Sequence, residues 1–365
     1  MNDAPPGAPI GCQSMDWLAR TRSCTERYGL TMDFQGYTRE LMKRVLLILA
    51  LMVASAGHAM ATFSIVAIDP ATGDLGVAVA SRYFAVGAVV PWAEANVGAV
   101  ATQANVNVGY GPRALELLRQ GLTAQQVMDK LFAEDTFPGK DGRQIAIVDS
   151  KGNIVVFTGD GAQDWKGHQK GATWSAQGNI LVGPHVVEAM GKAFQSTNDE
   201  LAEKLYAALK AGDEAGGDSR GRQSASILVV RKNGGRNTNN DRYVYINVDD
   251  HPEPMRELRR LLDVQLTGNH QTLMNRALAD NRFADALKSA EHLVRYSPLT
   301  AQSHMILGFA AYLAGQQDRA IAAFKRAHEL TLPSQFKQIW ENLSNRPAYQ
   351  KVIEDKAFVS KVTGS

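Results

Sequence analysis

TFSIVAIDPATGDLGVAVAS, residues 62–81, is the stretch that decides the fold. Apolar and β-branched residues fill both of its halves, and the PATG segment between Asp69 and Asp74 favours a tight turn. The pattern therefore predicts an antiparallel β-hairpin. In the second half, small residues such as Gly76 alternate with larger ones such as Val77, which is typical of a strand covered on both faces. The hairpin is predicted to lie inside a sheet.

Outward from the hairpin, the sequence predicts more strands, with pairs of helices between them. The predicted strands lie near 86–90 and 97–103, and at 143–150, 153–159, 224–230 and 242–248. The predicted helices lie at 111–121, 123–135, 183–195, 198–211 and 253–266, with Thr123 capping the second. Runs of strands separated by helix pairs favour a layered α+β sandwich over strict βαβ alternation. We place this unit at residues 62–267.

The C-terminal segment, residues 268–365, is predicted to be purely helical. Two similar copies are marked by alanines 34 residues apart, a glycine 12 residues before the second alanine, and a proline after each copy: Ala286, Ala320, Gly308, Pro298 and Pro333. The period is typical of tetratricopeptide-like helical repeats. The alternative is an ordinary helical hairpin with alanines where the helices pack closely. Residues 334–365 are predicted to form a capping helix pair.

The sequence before residue 62 is predicted to be an export signal. Two basic residues precede a 12-residue apolar run at 45–56, and small residues occupy positions 59 and 61, as a signal-peptide cleavage site requires. The predicted signal peptide is 42–61, and residues 1–41 are predicted to be a mis-assigned or disordered leader. A membrane-spanning helix needs about 20 apolar residues. We therefore expect a periplasmic or secreted mature chain without a transmembrane anchor.

The composition and the missing motifs exclude several classes of function. Cys12 and Cys24 both precede residue 62, so the predicted mature chain has neither a disulfide nor a thiol nucleophile. Six of the 39 basic and five of the 37 acidic residues also lie there, which leaves a formal charge of about +1. A nearly neutral chain gives no indication of nucleic-acid binding. The chain lacks the common nucleotide-binding, zinc-protease and serine-hydrolase motifs. Because no two histidines are spaced i, i+4, local spacing predicts no metal site, and we expect no cofactor.

The predicted cleavage site itself offers a nucleophile. An N-terminal threonine carries both a hydroxyl and an α-amine, and the amine can act as the base for its own hydroxyl. The hairpin places Thr62 opposite Ser81, to within a residue or two, with Arg82 beside it. A nearby cation such as Arg82 would lower the pKa of the amine and keep more of it neutral. The alternative is that Thr62 simply begins a strand, where threonine is favoured.

Several ordered blocks, together with residues 62–104, carry a family resemblance. They are FTGDGAQDWKGH (157–168), SAQGNILVG (175–183), AGGDSRGRQSASILVV (215–230) and VDDHPEP (248–254). From residue 62 to about 265 the chain resembles a bacterial family known as domain of unknown function 1028, which is placed in the Ntn-hydrolase-like (N-terminal nucleophile) superfamily. The resemblance implies a four-layer αββα sandwich. It does not by itself establish activity or substrate.

Amide side chains in or directly after these blocks are candidate oxyanion donors. Gln103 and Asn105 follow the strand near 97–103, and Asn179 lies in the SAQGN segment. Their amides can donate hydrogen bonds to a developing oxyanion. The alternative for each is a structural hydrogen bond at the end of a strand.

The glycine-rich GGDSRGRQ segment is a candidate substrate-binding loop. Arg220 or Arg222 would grip a substrate carboxylate there, with Asp218 in the same loop. The alternative is a turn held by an Asp–Arg pair. We expect His168 either to line the mouth of a pocket or to shield the surface of a hairpin. His251 is a further candidate, and Asp250 beside it is expected to cap the following helix.

Two functions of different classes follow. The first is a secreted amidohydrolase that uses Thr62 on an amide, a small peptide or a cell-wall-derived fragment. The second is a non-catalytic binding or scaffold protein of the cell envelope, whose helical repeats recruit a protein partner. Mass spectrometry of the mature N-terminus separates them in part, because a chain that does not begin at Thr62 lacks the self-activated nucleophile.

Overall fold

The computed structural model describes residues 62–237 and 239–364. The predicted leader, the predicted signal peptide and both cysteines lie outside these residues. The described strands are β1 (Thr62–Ile68), β2 (Leu75–Ser81), β3 (Pro91–Glu94), β4 (Gly98–Ala104), β5 (Arg143–Asp149), β6 (Ile154–Thr158), β7 (Gly167–Lys170), β8 (Trp174–Asn179), β9 (Ser224–Val230) and β10 (Arg242–Val248).

Helices separate these strands and fill the C-terminal part of the chain. They are α1 (Tyr110–Arg119), α2 (Ala124–Glu134), α3 (His185–Ser196), α4 (Leu201–Glu214), α5 (Pro254–Ala279), α6 (Phe283–Tyr296), α7 (Ala301–Leu313), α8 (Gln317–Glu329), α9 (Pro333–Ser344), α10 (Gln350–Glu354) and α11 (Lys356–Thr363). None of the described helices is both long and apolar enough to span a membrane.

The strands form two antiparallel sheets. The first has six strands in the order β10-β9-β2-β1-β8-β7, and the second has four in the order β3-β4-β5-β6. All pairings between these strands are antiparallel. The predicted α+β class, followed by an all-helical region, is therefore confirmed.

The predicted hairpin lies at the centre of the first sheet. β1 pairs with β2 so that Thr62 lies opposite Ser81, which confirms the predicted register. The Asp69 N–H donates to the Asp74 carbonyl at 2.9 Å and closes the turn. Gly73 in this turn has a φ of 75°, a left-handed conformation that glycine adopts without steric cost. Because β2 lies between β1 and β9, it is an interior strand, as predicted.

Alternate residues of the first sheet face different apolar layers. On one face, Phe63 and Ile65 of β1 pack in a cluster with Met190 of α3. On the other face, Val66 of β1 packs in a cluster with Ala99 of the second sheet. The first sheet is therefore covered by helices on one side and by the second sheet on the other.

The second sheet buries its outer face against α1 and α2. Val100 and Ile145 share an apolar cluster with Leu117 of α1 and Val127 of α2. Thr123 caps α2 as predicted, since its side chain accepts the Gln126 N–H in a reciprocal capping box. The space between the two sheets is thus a closed layer, and its polar end holds the candidate site.

The strand predicted near 86–90 was wrong. Residues Val86–Ala88 form a short 3-10 turn, and the strand β3 begins only at Pro91. The Ala85 N–H donates to the Asp249 carbonyl at 2.9 Å, and the Val86 N–H donates to Ser224 Oγ at 3.3 Å. These donors are committed to loop and side-chain acceptors and not to a neighbouring strand.

The helix predicted to end near Leu266 continues to Ala279 as α5. Leu258 and Leu262 in its first half belong to the cluster against the first sheet, whereas Met274 in its second half belongs to the core of the helical region. Its buried face continues past residue 266 without a proline to end it. The boundary proposed after residue 267 lies within this continuous helix.

The helical region packs through small residues, as its sequence pattern indicates. α6 begins at residue 283 and α8 at residue 317, the same 34-residue offset as Ala286 and Ala320, both of which are fully buried. A Cβ added at Gly308 would lie 2.7 Å from the Phe324 ring, so α7 and α8 approach closely there. Beyond α8 lie three α-helices, where the sequence predicted a helix pair.

Candidate functional site

Four strands of the first sheet bring hydroxyl and amide side chains into one row. Ser81 lies opposite Thr62 on one side and Ser224 on the other, and Asn179 lies opposite Thr62 from β8. Residues opposite one another in a sheet point to the same face. This face is turned toward the second sheet, and all four residues are buried in the full chain. We call these four residues the Thr62 row.

Thr62 and Ser81 form the closest hydroxyl pair of the row. Thr62 Oγ1 lies 3.1 Å from Ser81 Oγ. In the full chain the Thr62 nitrogen is the peptide nitrogen that follows Ala61. Cleavage at the predicted site would turn that nitrogen into an α-amine on the residue that carries the hydroxyl. Ser81, one of the sequence candidates, is thus placed to orient the Thr62 hydroxyl.

Gln103 reaches the Thr62 row from the second sheet. Its Nε2 donates to the Thr62 carbonyl at 3.2 Å and to Gln144 Oε1 at 2.7 Å, and its Oε1 accepts the Ser64 hydroxyl at 2.7 Å. Asn179 Nδ2 also donates to Gln144 Oε1, at 3.1 Å. The two sequence-predicted amides, Gln103 and Asn179, are therefore joined through Gln144.

Gln144 was missed in the sequence analysis. It is fully buried, and its Nε2 donates to the Gly178 carbonyl at 2.9 Å and to Thr158 Oγ1 at 2.9 Å. A sequence signal for Gln144 was present, because this polar residue directly precedes the apolar run at 145–148 of the same strand. It lies opposite Gln103 in the sheet. Ser224 was also missed, because the SASILVV segment was interpreted as an apolar strand without a functional residue.

Arg82 follows the Thr62 row at the end of β2. Its backbone N–H donates to Asp218 Oδ2 at 2.7 Å, and its Nη1 donates to the Arg220 carbonyl. Among the described residues, no carboxylate forms an ion pair with its exposed guanidinium. Arg82 is therefore a cation available beside the row.

The other two loop arginines are engaged with carboxylates. Arg220 Nη2 lies 3.0 Å from Asp218 Oδ2, and Arg222 Nε lies 2.6 Å from Asp213 Oδ1. The Asp218 carboxylate also accepts the Arg220 N–H at 2.9 Å, which closes the turn. The Asp218–Arg220 contact matches the alternative prediction, in which an Asp–Arg pair holds a structural turn.

His168 is connected to the network through one hydroxyl. His168 Nδ1 lies 2.9 Å from Thr158 Oγ1, and the same oxygen accepts Gln144 Nε2. Burial and the nearby Lys170 ammonium lower the pKa of His168, which favours the neutral imidazole. A neutral Nδ1 can accept the Thr158 proton, so the hydroxyl links the ring to Gln144.

Two sequence candidates lie outside this network. Asn105 is exposed, and its amide donates to a loop carbonyl at 3.2 Å. His251 Nδ1 accepts the Glu253 N–H at 3.0 Å at the start of α5. The expectation that Asp250 caps this helix was wrong, because the helix begins at Pro254 with Glu253 in the capping position.

A cavity of about 590 Å³ opens at one end of the Thr62 row. Ser81 and Ser224 reach it from the row, Phe63 gives it an apolar wall, and Arg82 and Asp218 give it charge. A ligand in this cavity would meet serine hydroxyls, an aromatic ring and charged side chains of both signs.

A model described as "Family of unknown function (DUF1028)" matches residues 62–258. The chain belongs to this family. The match begins at Thr62 and includes all ten described strands, and it confirms the resemblance noted in the sequence. The helices after residue 258 lie outside it. The family description assigns no activity.

A solved structure is similar to the same part of the chain. It is the crystal structure of protein SPO2555 from Silicibacter pomeroyi, described under family model DUF1028. The two sequences are 33% identical, the match covers 55% of this chain and 88% of that one, and the TM-score is 0.50. A comparison with curated proteins found no match.

Proposed function

We propose that the chain is an exported amidohydrolase whose nucleophile is Thr62, freed as the N-terminal residue when the signal peptide is removed. The observation that carries the proposal is the 3.1 Å approach of Thr62 Oγ1 to Ser81 Oγ at the end of a sheet, next to a cavity. The family match that begins at Thr62 supports the same assignment.

We further propose that the domain is the αββα sandwich of the Ntn-hydrolase-like superfamily. The support is the order of its layers: α3 and α4 pack on the first sheet, the two sheets pack on each other, and α1 and α2 pack on the second sheet. In this arrangement the first residue of β1 lies between the sheets, where a free N-terminus would be held in place.

The chemistry follows from having a base and a nucleophile on one residue. The Thr62 α-amine takes the proton from Oγ1 as this oxygen attacks the carbonyl carbon of an amide. The amine then gives the proton to the leaving nitrogen as the C–N bond breaks, which leaves an ester on Thr62. Water attacks this ester, and its proton returns by the same amine to Oγ1. Ser81 holds the Thr62 hydroxyl during these steps.

Neighbouring groups supply charge stabilisation and substrate recognition. Asn179 uses one N–H for Gln144, which leaves its second N–H available to an oxyanion. The exposed Arg82 guanidinium lowers the pKa of the amine that cleavage creates, and it can pair with a carboxylate on the substrate. The substrate class is therefore an amide or small peptide that carries a carboxylate near the scissile bond.

The test compares the nucleophile with and without its hydroxyl. The exported chain is analysed by mass spectrometry for an N-terminus at Thr62 and then treated with a β-lactone, which acylates N-terminal nucleophiles. We expect one adduct, located on residue 62. Thr62→Ser should retain the adduct and Thr62→Ala should lose it. Thr72→Ala, which removes an exposed hydroxyl from the same hairpin, is the matched control.

A mature chain that begins elsewhere would contradict the proposal, and so would an adduct that persists in Thr62→Ala. Either result would favour the second candidate function, a binding protein. A groove of about 670 Å³ between α6 and the end of α7 favours it, because it combines apolar Phe283 and Leu287 with the charged Lys288 and Glu291. If the groove binds a protein partner, Phe283→Glu should abolish its capture.

A further inference from the structure

A second buried polar cluster lies away from the Thr62 row, where α4, α5 and α6 meet. Its centre is Glu200, the residue before α4, which lies on a cavity of about 940 Å³. Glu200 Oε2 accepts the Tyr243 hydroxyl at 2.6 Å, and Oε1 accepts the Tyr296 hydroxyl at 2.9 Å. His270 Nε2 lies 3.0 Å from the same Oε1. One carboxylate thus gathers groups from β10, α5 and α6.

The Tyr243 and Tyr296 hydroxyls both donate to the Glu200 carboxylate, and hydrogen bonds to a carboxylate stabilise its charged form. Glu200 therefore offers a carboxylate oxygen at the edge of the cavity.

Two histidines stack beside this carboxylate. The His270 and His292 rings are 4.2 Å apart between centroids and only 4° from parallel. His270 is on α5 and His292 is on α6, so the packing of two helices, and not the local sequence, brings them together. One ligand atom from each histidine and one oxygen of Glu200 all lie within 4.8 Å of one another.

One nitrogen of each histidine ring has no hydrogen-bond partner within the part of the chain that the structure describes. The Nδ1 atoms of His270 and His292 are buried without a hydrogen-bond partner among the described residues, and the His270 side chain is only 8% exposed. No hydrogen bond within the described part of the chain holds the His292 ring. Buried polar atoms in native proteins normally have partners, so unpaired nitrogens beside a carboxylate indicate a missing ligand.

We propose that Glu200, His270 and His292 bind one divalent transition-metal ion of the zinc type. Two imidazoles and a carboxylate are a donor set that suits zinc, whereas calcium and magnesium prefer oxygen donors alone. The ligand atoms of a tetrahedral zinc site are about 3.3 Å apart. The ligand atoms here lie within 4.8 Å of one another, so metal binding would draw them closer. The His292 ring, which is held by stacking and by no hydrogen bond among the described residues, is the group expected to rotate.

The surroundings complete such a site. Tyr243 and Tyr296 hydrogen-bond the ligating carboxylate, which is the usual arrangement around a metal centre. Basic residues also line the cavity, and three of them are paired with carboxylates: Arg231 with Asp74 at 2.6 Å, Arg282 with Asp285 at 2.6 Å, and Arg295 with Asp199. With three protein ligands, the fourth position of the ion faces the cavity and is open to water or an anion.

The test is a metal titration of the full chain after dialysis against a chelator. We expect calorimetry with Zn²⁺ to give one site per chain with micromolar or tighter affinity. Co²⁺ at the same site should give visible absorption bands typical of mixed nitrogen and oxygen ligands. Saturating Zn²⁺ should raise the Tm by roughly 5 °C.

Variants assign the site. His292→Phe keeps a flat ring stacked on His270 and should weaken Zn²⁺ binding by roughly 100-fold or more. Glu200→Gln should also weaken it. The exposed His185→Ala is the matched control, and Thr62→Ala should bind like the wild type, which separates this proposal from the proposed function. Failure of the wild type to bind, or equal binding by His292→Phe, would overturn the proposal.

Discussion

The Thr62 row and the Glu200 cluster are two buried polar sites built from different groups. The row uses neutral hydroxyls and amides, and both atoms of the Gln103 and Gln144 side-chain amides have partners. The Glu200 cluster concentrates a carboxylate, two phenols and two imidazoles, and the Nδ1 atom of each imidazole has no hydrogen-bond partner among the described residues. A closed neutral network indicates a preformed scaffold, whereas an open charged cluster indicates a place for a ligand.

The largest effect on stability is expected where the neutral network is cut at its centre. Gln144→Leu leaves Gln103 and Asn179 buried without their shared acceptor, and it also removes the donor to Thr158. We expect a loss of about 3 kcal/mol in the free energy of unfolding, because several buried polar groups lose partners at once. Urea denaturation followed by circular dichroism measures this loss.

Gln125→Leu is the control for this change. Gln125 is exposed, and among the described residues its side chain hydrogen-bonds to Asp129 alone, so we expect a change in the free energy of unfolding within about 0.5 kcal/mol. If the two leucine variants were equally stable, the network around Thr62 would not be a structural scaffold.

Half of the Thr62 row, Thr62 and Ser81, could be predicted from the sequence, because the register of a short hairpin is fixed by its turn. The PATG turn set Thr62 against Ser81, and strand alternation then decided which side chains share a face. Asn179, Ser224 and Gln144 could not be placed beside Thr62 in this way. They belong to strands that are distant along the chain, and their neighbours are decided by how strands assemble into sheets.

A smaller effect is expected when the charged cluster is neutralised without metal. Glu200→Gln keeps the shape of the side chain but removes the charge that strengthens three hydrogen bonds. We expect a loss of about 2 kcal/mol in the free energy of unfolding, measured in the presence of a chelator. The exposed Glu188→Gln should change it by less than about 0.5 kcal/mol. Similar stabilities of the two variants would mean that the cluster is not organised by its carboxylate.

The Glu200 cluster could not be predicted from local sequence spacing. His270 and His292 are 22 residues apart and lie on different helices, so a search for histidines within one helix missed them. Their approach depends on the continuation of α5 to Ala279, which the sequence analysis ended near Leu266. Spacing within one helix reveals sites on a single element, whereas packing between elements creates the others.

Asp135 combines features of both sites. It is a carboxylate like Glu200, but both of its oxygens accept hydrogen bonds, as in the closed network around the Thr62 row. Burial alone would raise its pKa, but the Tyr110 hydroxyl at 2.6 Å, the Phe137 N–H at 2.9 Å and Arg143 Nε at 3.0 Å bring it down to about 2. A lowered pKa stabilises the fold above the unfolded value of 3.8, and this contribution is lost as the pH falls toward 2.

Between pH 5 and pH 3, we therefore expect the free energy of unfolding of the wild type to fall by about 1 kcal/mol more than that of Asp135→Asn. Urea denaturation of both chains at the two pH values measures the difference. An equal loss in both chains would mean that Asp135 is no better stabilised as a carboxylate in the folded chain than in the unfolded one.

The smallest effect on stability is expected at Arg82, where a charge stands beside the neutral row. Its guanidinium is exposed, so Arg82→Gln should change the free energy of unfolding by less than about 0.5 kcal/mol. If Thr62 uses its α-amine as a base, loss of the cation should raise the pH midpoint of β-lactone labelling by about 0.5 to 1 unit, because the amine pKa rises. Arg222→Gln, whose guanidinium is paired with Asp213, should leave the midpoint in place. An unchanged midpoint in Arg82→Gln would mean that the guanidinium does not lower the pKa of the Thr62 amine. Arg82 would then act only by binding the substrate.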